Sequence, residues 1–312
     1  QETVTADGIK KILACNIGSP NDVANALEHD AEAIGLFRSE FLFMDAAELP
    51  SEEEQFQAYR KVASALKGAP VIIRTLDVGG DKEIPYLHME KEENPFMGFR
   101  AVRYCLENAD QYKVQLRALL RAGAFGDVKI MIPLVTCVEE VRAVKALVEE
   151  CKAELEAEGL KYDENIEVGV MMETPAASLI ADKLAEEADF FSIGTNDLIG
   201  YTMCADRGND HISNLYQVYY PAVLRSIKNI IESGVKAGIM VGMCGEAAAD
   251  PLLEPLLISF GLEEFSMSAP SILRARKTIS QWSKAECDEL AEKALACTTA
   301  AEVKALLEAA AR

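Results

Sequence analysis

The sequence predicts an α/β fold, a (β/α)8 TIM barrel with extra C-terminal helices. Three observations predict it. Short apolar or β-branched runs alternate with helical patterns along the chain, and there are eight of them. Spread from residue 11 to residue 268, eight β-then-α units suit a barrel that typically takes about 250 residues. The turn after the first strand, "NIGSPND", lacks the GxGxxG pattern that a doubly wound open sheet would favour there.

In chain order the predicted strands are "KILACNI" (11–17), "AIGLFR" (33–38), "VIIRTL" (71–76) and "VKIMIPLV" (128–135). They continue with "EVGVMME" (167–173), "DFFSIGT" (189–195), "IMVGMC" (239–244) and "EFSMS" (264–268). The intervening helices carry start and stop signals. Ser19-Pro20 and Thr174-Pro175 each set an N-cap before a proline at the first helical position. "SEEEQFQAYRKVASALKG" reads as a capping box, Ser51 to Glu54, with a stop at Gly68. "VEEVRAVKALVEECKAELEAEG" has apolar positions at helical spacing and stops at Gly159. The tail from "SKAEC" onward reads as two capped helices beyond the barrel. No repeat, low-complexity tract or linker interrupts the chain, so residues 1–312 are expected to form one domain.

A formal net charge of −20 over 312 residues argues against nucleic acid as a partner. It also means that an anion site has to be built locally, against the field of the whole chain. No apolar run approaches the roughly 20 residues that span a bilayer, and no signal peptide is evident, so no membrane insertion is expected. The eight cysteines include no CxxC pair and do not cluster with His29, His88 or His211. That pattern disfavours a structural zinc site and fits a reduced, cytoplasmic protein. The chain starts at Gln1 rather than methionine, and a fragment of a longer protein is expected.

In such a barrel the C-terminal strand ends share one mouth, where active sites are built. Read off those ends, the sequence offers Arg38, Arg74 with Asp77, Glu173, Asn196 with Asp197, and Cys244. Arg207 follows ten residues after Asp197, and Arg100 lies in the connection after the third strand. Singly, each has an ordinary structural use as an ion pair, a helix cap or a buried thiol. Together they converge on one rim. Clustered arginines suit phosphate or carboxylate, because the guanidinium fork pairs with both. Glu173 and Asp197 are hard oxygen donors that describe a Mg2+ site better than a zinc site. A phosphorylated anion beside Mg2+ points to phosphoryl transfer.

The motifs "GLFRSEFLFM", "RTLDVGGDKEIPY", "KEENPFMGFRAVR", "GVMMETPAA", "FFSIGTNDL", "YTMCADRGN", "GMCGE" and "GLEEFSMS" resemble a known family over essentially the whole chain. It is the phosphoenolpyruvate-binding C-terminal domain of Enzyme I, the phosphoenolpyruvate-protein phosphotransferase of the bacterial sugar phosphotransferase system. Pyruvate phosphate dikinase and phosphoenolpyruvate synthase share the barrel and the TND and CGE segments, but the "RTLDVGGDK" block is closer to Enzyme I. The resemblance implies that Arg38, Arg74 and Arg207 bind phosphoenolpyruvate, with Arg100 as a further arginine of the pocket. It implies Glu173 and Asp197 as Mg2+ ligands, Asn196 as an amide on the phosphate, and Cys244 as the donor that protonates the enolate to pyruvate. Gly242 and Gly245 would then give the substrate room to approach the thiol.

Two features depart from the family pattern. After "GTNDL" the family continues with a polar residue and then glutamine, where this chain has Ile199 and Gly200. Nothing resembles the segment of the phosphoryl-accepting histidine, so that N-terminal phosphohistidine domain is expected to be absent. Implied partners are that domain, the phosphocarrier protein HPr beyond it, and a second copy of the chain in a homodimer. The alternative reading is a Mg2+-dependent lyase of the pyruvate-enolate type, against which the number of phosphate-suited arginines argues.

Overall fold

A computed structural model describes residues Gln1–Arg312. Its nine strands are β1 Thr3–Val4, β2 Lys10–Ile17, β3 Ala33–Arg38, β4 Val71–Arg74, β5 Val128–Ile132, β6 Val168–Met172, β7 Phe190–Ile193, β8 Met240–Cys244 and β9 Glu264–Met267. Strands β2 to β9 pair in sequence order, all parallel, and β9 returns to β2 through Ile12↔Glu264 to Cys15↔Met267. The sheet is therefore closed, as an eight-stranded barrel with helices outside it. All eight predicted barrel strands are present. The unpredicted β1 pairs antiparallel with β2, and two residues are too few to show a periodic signal.

Three strands end two or more residues earlier than the sequence implies, the run 71–76 at Arg74 and two others for a local reason. The run 128–135 stops at Ile132 because Pro133 has no N–H for the ladder and Leu134 turns to φ +56°. The run 189–195 stops at Ile193 because Thr195 already begins the helix Thr195–Met203. Asn196 and Asp197 thus stand in the first turn of a helix, where a negative charge is favoured by the helix dipole.

Helix signals hold with one adjustment. Thr174 caps Pro175–Leu179 by accepting from the Ala177 N–H at 3.1 Å. Ser51 caps Glu52–Ala65, but Glu54 accepts from the Ser51 hydroxyl rather than from its backbone, so the reciprocal box is not closed. The tail forms Lys284–Ala296 and Ala300–Ala310, capped by Ser283 and Thr299. No helix is long and apolar enough to cross a membrane.

The main core fills the space between barrel and helices. A smaller buried cluster of Leu36, Ile72, Met131, Met171, Phe190 and Cys244, one from each of six barrel strands, fills the interior. It makes the barrel a plugged cup with an apolar floor and Cys244 at its edge. That floor depends on a glycine: a Cβ at Gly169 would stand 2.5 Å from the Phe190 ring, itself fully buried. Gly169→Ala is expected to cost about 1–3 kcal/mol through overpacking. The measurement is a urea titration, in which the midpoint falls while the slope is unchanged.

Candidate active site

Arg38 and Arg74 end neighbouring parallel strands, and the register makes their Cα atoms direct partners. Two guanidinium groups set side by side repel unless carboxylates intervene. For Arg74 they do: its Nη2 donates to fully buried Glu40, and its Nη1 lies 3.4 Å from Asp77. Lys82 joins from the following loop, 2.8 Å from Glu40 and 3.9 Å from Asp77. The Arg38 side chain has no such partner and forms no ion pair or hydrogen bond within the chain.

Arg100 closes the network from the other side. Its Nη2 lies 3.3 Å from Asp77 and donates to Asp197 at 2.9 Å. Its Nη1 donates to the Tyr201 hydroxyl at 3.0 Å, and that hydroxyl donates to the Phe96 carbonyl. Burial alone would push the Asp77 carboxyl up, but the charges of Arg74, Arg100 and Lys82 outweigh it and hold the group at about 2. The strand end is braced by Ser39, which donates to the Arg74 carbonyl at 2.5 Å and accepts from Gln115 at 2.9 Å.

Glu173 is buried beside this network, and its Oε1 accepts the Leu134 N–H at 2.7 Å. The left-handed turn that ended β5 therefore supplies a backbone donor to this carboxylate. Burial first, then the charges of Asp197 and Asp77, push Glu173 well above the usual carboxylate range, with Arg100 and Arg74 opposing. Two carboxylates whose charges oppose one another call for a cation. Glu173 and Asp197 are hard oxygen donors, of the kind that Mg2+ takes rather than zinc. A Cβ at Gly194 would stand 2.8 Å from Glu173 Oε2, so that position must stay bare.

Cys244 ends β8, buried rather than open. Its sulfur accepts from the Ser192 hydroxyl at 3.3 Å and faces the Ile193 carbonyl at 3.8 Å. Burial raises the thiol to about 11; the Ser192 hydrogen bond and Arg74 pull it down, while Glu173 and Glu264 add to the rise. The room expected at the flanking glycines is already used. A Cβ at Gly242 would meet Glu264 Oε1 at 3.1 Å, and one at Gly245 would overlap Thr195 Oγ1. These glycines accommodate protein neighbours.

The structure thus brings Arg38, Arg74, Arg100, Glu173, Asp197 and Cys244 to one rim. Arg207 stands outside the buried network, 58% exposed and paired with exposed Glu246 at 3.0 Å. Asn196 is part-buried, and its carbonyl accepts from the Tyr216 hydroxyl at 2.8 Å. Ile199 is buried and Gly200 part-buried in the same helix. Sequence reasoning gave no role to Glu40, Lys82, Tyr201 or Ser192. Glu40 and Lys82 did lie within the quoted "GLFRSEFLFM" and "RTLDVGGDK" stretches. Arg74 Nε and Thr195 Oγ1 are buried without any partner, which is unusual unless a ligand completes them.

Residues 1–284 match the family described as PEP-utilising enzyme, PEP-binding domain. The phosphoenolpyruvate-protein phosphotransferase of Bacillus sp. (strain S) is 54% identical over 303 residues, covering 97% of this chain and 52% of that protein. That of Staphylococcus carnosus (strain TM300) is 52% identical over 307 residues, covering 98% of this chain and 54% of that protein. The chain spans about half the length of these curated relatives. A solved citrate lyase from Burkholderia xenovorans LB400 superposes with a TM-score of 0.54 at 14% identity, over 97% of this chain and 92% of that one. This last likeness is one of fold alone. With its barrel, its cationic rim and a match over residues 1–284, the chain belongs to the family of PEP-utilising enzymes, as their PEP-binding domain.

Proposed function

We propose that this chain, residues 1–312 acting as one domain, binds phosphoenolpyruvate and Mg2+ and transfers the phosphoryl group to a histidine on a separate domain, releasing pyruvate. The observation that carries this reading is an unpaired arginine, Arg38, beside an arginine with an orphaned buried donor, Arg74, on the rim that also holds Cys244. Arg38 receives the phosphate oxygens in bidentate fashion, and Arg74 adds its one unpaired donor, Nε. Asn196 and Arg207 are assigned to the same anion from the other side of the mouth, and Arg100 to its nearby oxygens. Glu173 and Asp197 hold Mg2+, which when bound supplies positive charge to the phosphoryl oxygens.

The phosphorus–oxygen bond breaks as the histidine nitrogen takes the phosphoryl group, and enolpyruvate remains. Its methylene carbon then takes the proton of Cys244. A carbon–hydrogen bond forms, the sulfur–hydrogen bond breaks, and pyruvate leaves. A thiol at about 11 stays protonated at neutral pH, as a proton donor must. The Ser192 hydroxyl and the Arg74 charge stabilise the thiolate left behind. On the same resemblance the histidine domain passes the phosphoryl group to HPr, the first step of sugar uptake by the phosphotransferase system. On this reading the chain acts in the cytoplasm, as a homodimer.

Calorimetric titration with phosphoenolpyruvate, with and without Mg2+, tests the reading, and absence of binding in both conditions refutes it. Arg38→Ala is expected to weaken binding about 10- to 100-fold, the worth of a charge-assisted pair. Its melting temperature should not move, since Arg38 makes no ion pair within the chain. Cys244→Ala should retain binding yet lose pyruvate formation when the phosphohistidine domain is added in trans.

A pH prediction follows from the same thiol. Its folded pKa, about 11, lies above the ordinary 9.0, so the folded state prefers the neutral thiol. That contribution is fully present below pH 9 and is lost as pH rises from 9 through 11, at up to about 1.4 kcal/mol per pH unit. Urea stability measured across this range should fall less steeply for Cys244→Ser than for the parent.

A further inference from the structure

Asp197 is claimed twice. In the proposed function it is a metal ligand, whereas in the structure its Oδ2 accepts from Arg100 at 2.9 Å. The two claims compete, because a guanidinium on Oδ2 and a metal cation on the same carboxylate repel each other at close range. Asp197 is 27% exposed, so an ion arriving from solvent reaches it, while the Arg100 side chain is only 5% exposed. Arg100 does not depend on Asp197 to stay in place. Asp77 holds its Nε and Nη2 at 3.3 Å each, and the guanidinium stands over the Phe96 ring at 5.3 Å. Of its contacts, the one to Asp197 is the one that can be given up.

We propose that Arg100 is a built-in counter-ion for the metal site, occupying Asp197 until a divalent cation displaces it. This inference rests on the assignment of Glu173 and Asp197 to Mg2+. In the free protein the buried Arg100 guanidinium is the cation that stands against Asp197, at 2.9 Å from its Oδ2. On metal entry the Nη2 of Arg100 is released from Asp197 and becomes available to an oxyanion, while Asp77 keeps the side chain at the rim. Metal and anionic substrate are thereby coupled through one residue. The metal prepares the arginine, and by reciprocity the anion, in drawing Arg100 away, tightens the metal.

The loop takes part as well. Arg100 ends the long connection after β4, and its Nη1 donates to Tyr201, whose hydroxyl binds the Phe96 carbonyl of that connection. Tyr201 and Asp197 lie one turn apart on the helix Thr195–Met203. Arg100 therefore ties this loop to the metal-binding helix at two points, of which metal binding breaks one.

The test titrates Mn2+, followed by the spin resonance of the free ion, into the substrate-free protein and its variants. Arg100→Gln is expected to bind Mn2+ about ten-fold more tightly, the effect of removing one charge-assisted competitor. Equal or weaker binding overturns the proposal. Arg100→Gln leaves Asp77 with Arg74 and Lys82, which favours folding. If it nonetheless fails to fold, Arg100→Met, which removes the charge but keeps an apolar stem, must also bind more tightly than the parent. Asp197→Asn is the control for the underlying assignment. If it leaves Mn2+ binding intact, the metal assignment itself fails; if it abolishes binding but Arg100→Gln shows no gain, only the present inference fails. Hydrogen exchange adds a second readout: saturating Mg2+ should speed exchange at Phe96 to Phe99 in the parent and not in Arg100→Gln, and no change in the parent counts against the coupling.

Discussion

Asp77 is one buried carboxylate shared by three cations, and the mouth of the barrel is arranged around it. A charge 1% exposed is costly unless it is paired. Here Arg74, Arg100 and Lys82 stand within 3.3 to 3.9 Å of it. One of these sits on a strand, and the other two come from the connection that follows. Asp77 thus pins an otherwise irregular segment of some 27 residues, from Thr75 to Ala101, with short 3-10 turns at Pro85–Leu87 and Pro95–Met97, against the barrel rim. It also concentrates positive charge at one place on a chain whose formal net charge is −20. Glu40 and Asp197 balance part of that charge, and Arg38 is left unbalanced. An anion is attracted to this rim against the field of the rest of the molecule.

Burial acts on three ionisable groups at this rim with different results, and the difference lies in their neighbours. Asp77 is surrounded by cations and stays ionised. Glu173, equally buried, faces two other carboxylates and is pushed toward its neutral form unless a cation joins it. Cys244, set against the apolar plug with a single hydroxyl donor, is held as a thiol. One buried cup therefore holds unpaired positive charge, a carboxylate pushed toward its neutral form and a protonated thiol. The proposed cleavage of an enol phosphate draws on all three.

Much of this was legible in the sequence. The eight barrel strands were readable because strands buried on both faces appear as short continuous apolar runs, and the barrel rule turned their ends into a list of neighbours. Arg38, Arg74, Glu173 and Cys244 were found that way. What sequence reading missed depends on atomic packing. Glu40 follows Arg38 by two residues, and nothing in that spacing says that it neutralises Arg74 on the next strand. The glycines around Cys244 looked like room for a ligand. Gly242 makes space for Glu264 and Gly245 for Thr195, because a bare position does not reveal what fills it. Pro133 could have been read as the end of β5, but that the freed Leu134 N–H goes to Glu173 required coordinates.

The barrel itself says little about the reaction. A citrate lyase superposes on this chain at 14% identity, so the fold tolerates almost complete replacement of its residues. Function has to be argued from the rim, and there the pairing pattern is more informative than the inventory. An arginine saturated by carboxylates, as Arg74 nearly is, serves structure as well as ligand. An arginine with no partner, placed beside it by strand register, has no structural reason to be charged. Part-buried Arg38 is the charge at this rim that no carboxylate of the chain pairs, and the proposed function rests on it. The unmatched Nε of Arg74 lies beside it as a second unused donor.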